Sequence, residues 1–362
     1  MKALRLSAEH AGRSLSASQS WKNPKLNLEE VAKPTPELGE LLIRVRYCGL
    51  CGSDFHLTEG VYPGLATLPV TIGHEFSGVV EGHGPGTAKN ILDAFPVGMP
   101  VTAEEMQWCG SCAQCRAGHV NHCEKLEELG FTVDGAHGEY ICVDAKYCWS
   151  LEDLRKRVGE ENAFRLGALV EPYSVSFRAL FQGAHAGAWI PGGRVLVIGC
   201  GPIGLAAVDL ALTAGALEVH CLERDPVRQA LARKIGANKV VSGSEPGLLE
   251  GTYDWIVDAA GVSSLLATLA ASKLNVGGTI CLLARTDENL PLAPESLIVR
   301  NARIVGSQGH SGEATFSRVI SLMSSGRLRA LELIEDVISL EEAAIRLAQQ
   351  KKCGGKILVR PS

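Results

Sequence analysis

The sequence predicts a two-domain α/β chain, an antiparallel β-barrel with long loops alongside a doubly wound parallel sheet. Three observations predict it. A chain of 362 residues is longer than one ordinary hydrophobic core sustains. The first 150 residues carry short β-like runs between Gly/Pro turns, and from about Gly192 the rhythm changes to strand, helix, strand.

In the first part the runs are Leu41 to Tyr47, Gly78 to Glu81 and Glu139 to Val143. Short strands separated by turns and long loops suit a partly open antiparallel barrel. In the second part Arg194 to Ile198 reads as a buried strand, Ile203 to Ala214 as a helix of small apolar residues, and Glu218 to Leu222 as the next strand. Pro226 to Ile235 reads as a helix with proline in its first turn. Strands follow at Asp254 to Asp258, Thr279 to Leu283 and Arg303 to Gly306, with a helix from about Ser263 to Leu274. Alternation of this kind implies a parallel sheet covered on both faces. The tail from about Gly309 holds two helical stretches and a last strand, Lys356 to Arg360, expected to return to the first domain. The expected division is 1–173 with 309–362, and 174–308.

Composition narrows the function classes. Apolar residues make up 46% and charged residues 21%, a globular balance. A net charge of −5 gives no reason to expect nucleic acid or an anionic membrane as partner. The first residues, MKALRLSAEHAGRSL, hold no continuous apolar run of the kind that directs export, so a cytoplasmic location is expected. The most apolar stretch, Val195 to Leu217, is broken by Gly199, Gly201, Pro202, Gly204 and Asp209, and suits a buried strand, turn and helix better than a membrane span.

Cys109, Cys112, Cys115 and Cys123 form C-x2-C-x2-C-x7-C, inside a lobe expected at about 104–124. Four thiolates so closely spaced suit a closed tetrahedral zinc site that braces a loop. The alternative is two disulfides, which a cytoplasmic chain disfavours. Cys48, Cys142, Cys148, Cys200, Cys221, Cys281 and Cys353 fit no ligand spacing and are expected to be small core residues.

Gly199-Cys200-Gly201-Pro202-Ile203-Gly204 is a G-x-G-x-x-G run placed directly after a strand and opening a helix. That context lets the backbone approach a pyrophosphate at a helix N-terminus. Glu223, about 20 positions on, stands where a carboxylate would hold the adenosine ribose hydroxyls and repel a 2′-phosphate. NAD is therefore favoured over NADP, although Arg224 and Arg228 weaken the preference, since a guanidinium can hold a phosphate. Ala284 and Ser307, just past two of the later strands, are added to the cofactor set.

A second, open zinc site is expected around Cys51, in Cys48 to His56, and His74, in Gly73-His74-Glu75. A catalytic zinc takes about three protein ligands and keeps one position open. Cys51 and His74 are the best pair, and either Glu75 or Glu171 completes the set. The chemistry is consistent with that: hydride leaves a carbinol carbon readily once its hydroxyl is largely deprotonated, and zinc is a Lewis acid able to bring that about at neutral pH.

These motifs, in this order, resemble the zinc-containing medium-chain alcohol and polyol dehydrogenases over essentially the whole chain. The resemblance implies a GroES-like β-barrel catalytic domain, a Rossmann domain, two zinc ions per chain, and a homotetramer or homodimer. It implies that Cys51 and His74 ligate the catalytic zinc, and that Glu171 occupies the place where simple alcohol dehydrogenases carry a third cysteine. Glu75 is the other candidate for that role. Ser53 matches the hydroxyl that bonds the substrate alcohol, and His56 the histidine that ends a proton relay. Gly52 stands where some members carry a basic residue against the pyrophosphate. Ala103 to Cys109, Glu128 to Ala136 and Ile304 to Ser311 are similar to cyclitol-oxidising members, which implies a small polyhydroxylated substrate with Glu105 and His310 as contacts. Glu104 and Gln308 are further polar groups of those segments, expected to be able to bind several substrate hydroxyls.

Overall fold

The computed structural model describes residues 1–9, 21–60, 66–181, 191–243 and 246–362. They form two units. The first comprises Met1–Glu171, Ser311–Ser324 and Ile334–Ser362; the second comprises Pro172–His310 and Ser325–Leu333.

Alternation drives the first unit. Along the strand Glu40–Gly49, Leu41, Ile43, Val45 and Tyr47 are fully buried while Glu40, Leu42, Arg44 and Arg46 are partly exposed, the period-2 pattern of a strand with one covered face. This strand sits inside a seven-stranded sheet. The order is Cys148–Ser150, Pro100–Ala103, Glu75–His83, Glu40–Gly49, Lys356–Arg360 and Ile334–Ser339, with Tyr140–Asp144 also paired to Glu40–Gly49. All pairs are antiparallel except the last two strands, which run parallel. A second sheet joins Lys22–Glu30, Lys2–Glu9 and Val70–Thr71. The expected runs at 41–47, 78–81 and 139–143 are therefore real strands, each extended at one end or both. Lys2–Glu9 and Lys22–Glu30 are additions, because their outward residues are mostly charged and blur the apolar pattern.

The second unit is a six-stranded, wholly parallel sheet. Its order is Lys239–Ser242, Glu218–Glu223, Arg194–Ile198, Tyr253–Asp258, Leu274–Leu282 and Arg303–Gly306. Numbered along the chain this is 3-2-1-4-5-6, the doubly wound order in which ligands bind beyond the carboxyl ends of the strands where the order reverses. The helix Pro202–Thr213 is buried from Gly204 to Ala211, which is why it is built from small apolar residues. The helix Pro226–Ile235 starts at Asp225, whose side chain accepts the N–H groups of Val227 and Arg228, and ends at Gly236, with φ of +115°.

The division of the structure falls at 171/172 and 310/311, where the sequence reading set 173/174 and 308/309. Ser325–Leu333 differs from expectation: it belongs to the second unit. Arg329 explains it, since its backbone N–H donates to Asp209 Oδ2 at 2.8 Å and its guanidinium to the Lys234 carbonyl at 3.0 Å. The remaining tail, with helices Thr315–Ser324 and Leu340–Ala348 and the strand Lys356–Arg360, belongs to the first unit. Among the described residues no helix is long and apolar enough to cross a membrane.

Candidate functional site

Cys51 precedes the short helix Gly52–Thr58, and His74 precedes the strand Glu75–His83. The fold brings their side chains together. Cys51 Sγ, a ring nitrogen of His74 and a carboxylate oxygen of Glu75 all lie within 4.8 Å of one another. His74 is 5% exposed, and its Nδ1 carries no partner in the protein. Burial opposes charge on this imidazole, but Cys51, Asp54 and Glu171 outweigh burial and hold its pKa well above the ordinary value. A buried cluster of anionic donors around one imidazole, with an orphaned nitrogen, is a site short of a cation. The residues present fit a zinc ion.

The two carboxylates proposed as third ligand separate. Glu75 is fully buried and paired with Lys356, whose Nζ donates to its two oxygens at 2.6 and 2.7 Å. Burial alone would lower the Lys356 pKa, yet Glu75 raises it, so the ammonium stays charged. Glu171 lies outside the Cys51–His74–Glu75 group. Its carboxylate sits within 4.8 Å of the Glu105 carboxylate instead, and both residues are buried. Glu104, also buried, accepts from the indole nitrogens of Trp149 at 3.1 Å and Trp108 at 3.4 Å. It is a structural clamp, not a group free to bind hydroxyls, which corrects that part of the substrate reading. His310 is 1% exposed and closes the Pro172–His310 segment of the second unit.

Ser53 and His56 lie three residues apart on the helix Gly52–Thr58, which places them on one face. The Ser53 hydroxyl oxygen is buried with no partner in the protein. His56 is half-buried, with Nδ1 3.7 Å from Glu59. Burial, then Lys352, lowers its pKa against the opposing pull of Glu59.

The thiol lobe is assembled as expected. The Sγ atoms of Cys109, Cys112, Cys115 and Cys123 lie within 4.8 Å of one another, and none of the twelve cysteines is in a disulfide. Backbone N–H groups aim at the sulfurs: Cys112 to Cys109 at 3.3 Å, Cys115 to Cys112 at 3.4 Å, and Cys109 and Lys125 to Cys123 at 3.3 Å each. The Ser111 hydroxyl and backbone lower the Cys109 pKa to about 5, while burial and the neighbouring sulfurs push Cys115 up to about 12. Four thiolates cannot coexist at this spacing without a cation, and zinc is the ion that suits four sulfurs.

In the second unit a cleft of about 300 Å³ is lined by Gly199, Gly201, Glu223, Arg224, Arg228 and Val262, among others. Gly199 has φ of +83°, and a Cβ on Gly204 would sit 1.9 Å from the Gly199 carbonyl oxygen, so the turn packs directly on the helix that Pro202 and Ile203 open. Both Glu223 oxygens are engaged: Oε2 accepts the Cys200 N–H at 2.7 Å, and Oε1 the Arg224 and Asp225 N–H groups at 2.7 and 2.8 Å. An Arg228 guanidinium nitrogen stands 3.9 Å from where a Gly201 Cβ would be. Ala284 and Ser307 follow the last two strands of the sheet at their carboxyl ends, and the Ser307 hydroxyl is buried with no hydrogen-bond partner in the protein.

Three residues of the first site escaped the sequence reading. Lys356 pairs with Glu75 across 281 positions, and only its place at the head of an apolar strand hinted at burial. Asp54, inside the Cys48–His56 run, accepts the Cys51 N–H at 2.8 Å. His137 Nε2 lies 3.5 Å from Asp54 Oδ2, and no local pattern announces it.

Comparison with known proteins agrees with this geometry. Residues 37–153 match the alcohol dehydrogenase GroES-like domain, and residues 202–325 match the zinc-binding dehydrogenase domain. The scyllo-inosose 3-dehydrogenase of Thermotoga maritima is 43% identical over 90% of this chain and 87% of its own. A solved structure from Thermotoga maritima, described as an alcohol dehydrogenase, covers 99% of this chain and all of its own, with a TM-score of 0.89 and 38% identity. A zinc-binding dehydrogenase from Sinorhizobium meliloti bound to NADP superposes with a TM-score of 0.82 at 28% identity, covering 99% of each chain. An Escherichia coli alcohol dehydrogenase complexed with NADH also reaches 0.82, at 25% identity, covering all of this chain and 99% of its own.

Replacing Lys356 with methionine strands the Glu75 charge in the core and is expected to cost about 3–5 kcal/mol. Urea unfolding of Lys356→Met and of Lys356→Met/Glu75→Gln measures it. The double variant should recover most of the loss, and a single variant as stable as the parent would contradict the pairing.

Proposed function

The chain belongs to the zinc-binding alcohol dehydrogenases, and from that premise we propose that it oxidises a secondary hydroxyl of a cyclitol or polyol to a ketone, with NAD as hydride acceptor. The observation that carries the substrate class is the 43% identity, over 90% of the chain, with a scyllo-inosose 3-dehydrogenase. A ring bearing many hydroxyls also suits a site supplied with buried carboxylates, because a site that hydrogen-bonds hydroxyls rejects analogues lacking them far more strongly than an apolar pocket can. Glu105 and His310 are the proposed substrate contacts.

Two zinc ions per chain are proposed, one held by Cys109, Cys112, Cys115 and Cys123, the other by Cys51 and His74 with a carboxylate. Glu75 stands within ligand reach but shares its charge with Lys356. Glu171 stands further off, where it acts on His74 electrostatically and would reach the ion through a water. When bound, the catalytic zinc supplies a Lewis acid that lowers the pKa of a substrate hydroxyl toward neutrality. The chain supplies the rest. Ser53 Oγ, buried and unpartnered, accepts the substrate's proton, and His56 on the next turn passes it toward solvent. Glu223 at the end of the second strand favours NAD, since its charge repels a 2′-phosphate. Arg228, over the glycine turn, takes the place of the basic residue absent at Gly52.

The test is reduction of NAD, and in parallel of NADP, across myo-inositol, scyllo-inosose, sorbitol, threonine and simple alcohols, with zinc measured on the same sample. Turnover on a cyclitol with two zincs per chain is expected. Turnover confined to threonine or a small alcohol would overturn the substrate class.

The relay has its own signature. The depressed pKa keeps His56 neutral at pH 7, so it can accept a proton there, and the capacity is lost as pH falls through a value below 6.5. The acid limb of kcat/KM should therefore lie below pH 6.5. Ser53→Ala should lower turnover by about 10²–10⁴-fold with NAD binding intact. His56→Gln should flatten the limb, and a limb unchanged in that variant would remove His56 from the relay.

A further inference from the structure

We infer that His137 is a positioning residue of the Cys51–His74 centre, holding the Asp54 carboxylate that in turn fixes the ligand-bearing backbone. The inference rests on the zinc reading of that centre. His137 and Asp54 are both fully buried. One carboxylate oxygen, Asp54 Oδ2, serves two partners: it accepts the Cys51 N–H at 2.8 Å and faces His137 Nε2 at 3.5 Å. The other, Oδ1, carries no partner in the protein, nor does Nδ1 of His74. Asp54 thus touches one ligand through its backbone and lies within electrostatic reach of the other.

The His137 main chain is fixed from the His74 side as well. Its backbone N–H donates to the Ile72 carbonyl at 2.9 Å, its carbonyl accepts the Leu4 N–H at 2.8 Å, and the Ala136 N–H donates to the Gly73 carbonyl at 2.8 Å. Residues 136–137 are therefore zipped to the two residues that lead into His74. Gly73 leaves the space the ring occupies, since a Cβ there would lie 2.5 Å from His137 Cδ2 and 2.9 Å from Cys48 Sγ. Cys48 Sγ is 4.0 Å from His137 Nε2, so this cysteine packs against the imidazole and stands apart from the ligand cluster.

A buried imidazole used only as filler would be poorer than leucine, because its polar atoms must be desolvated. Here one nitrogen faces a buried carboxylate that would otherwise be held by the Cys51 N–H alone on that oxygen. Outer partners of this kind orient ligands, and their loss costs about 10–100-fold in metal affinity.

The experiment follows zinc retention, using the thiolate lobe as an internal control. Parent, His137→Ala, His137→Leu and His137→Gln are loaded with zinc and dialysed against a chelator, and zinc per chain is followed with time. Leucine keeps the volume and removes the donor, and glutamine places an amide nitrogen near the position of Nε2. The alanine and leucine variants should release one of two ions at least about 10-fold faster than the parent, keep the other, and be rescued by glutamine. Release of both ions at the parent's rate from folded leucine variant overturns the inference alone, even if melting is lowered. A parent that holds a single zinc overturns the reading of the Cys51–His74 centre, and the inference with it.

Discussion

A carboxylate and an ammonium, Glu75 and Lys356, are buried against each other in the middle of the seven-stranded sheet, and much of the first unit is arranged around them. Taking two charges out of water is unfavourable unless geometry is good and the remaining protons are satisfied. The geometry here is two short contacts, and Lys356 gives another bond to the Leu50 carbonyl at 3.1 Å. The constraint joins the C-terminal strand to the segments that carry Cys51 and His74. Lys356 opens the last strand, which pairs with Cys48 and Gly49, and Glu75 follows His74 directly. Gly49 has to be glycine for the carboxylate to lie where it does, since a Cβ there would fall 2.2 Å from Glu75 Oε2. The Cys51 and His74 side chains are thus carried by segments that this buried pair ties to the C-terminal strand.

The two cation-seeking clusters of this unit follow opposite designs. The lobe at Cys109–Cys123 gathers four like ligands, each sulfur met by protein hydrogen bonds or its neighbours, which leaves nothing for a substrate. It is tied to the distant segment Ser311–Ser324 by a reciprocal pair, Asn121 Nδ2 to the Ser311 carbonyl at 2.9 Å and the Ser311 N–H to Asn121 Oδ1 at 2.8 Å. The centre at Cys51 and His74 mixes a thiol, an imidazole and carboxylates, and next to it Ser53 keeps a buried hydroxyl unpaired. Closed sites brace structure, and incomplete ones invite a reactant.

Legibility in the sequence tracks how local the physics is. The glycine turn, the helix Pro226–Ile235 opened by its proline, and strands such as Arg194–Ile198, Arg303–Gly306 and Lys356–Arg360 could be read because each is decided by a few adjacent residues. The cysteine lobe could be read for the same reason. Glu75 against Lys356 could not, and neither could His137 against Asp54, since these pairings are settled by sheet register across 281 and 83 positions. Glu104 shows the converse failure. A carboxylate beside a suspected site looked available, and two indoles 4 and 45 positions away had already claimed it.

Buried polar atoms of this chain are matched to different degrees from one place to another. Glu223 has both oxygens filled by three backbone N–H groups, so it holds the shape of the glycine turn before any cofactor arrives. Glu75 and Glu104 are filled as well. By contrast Ser53 Oγ, Asp54 Oδ1, His74 Nδ1 and His137 Nδ1 are buried and unmatched within one short stretch of structure, and each such atom costs about 1–3 kcal/mol if nothing meets it. A fold of marginal stability does not concentrate that penalty by accident, because a few such atoms rival its whole margin. The deficit is offset when a cation draws on the imidazole and a hydroxyl-bearing substrate meets the serine. Binding and folding are thereby coupled, and a chain that has lost its metal should be softest at these residues while the sheet anchored by Lys356 remains in place.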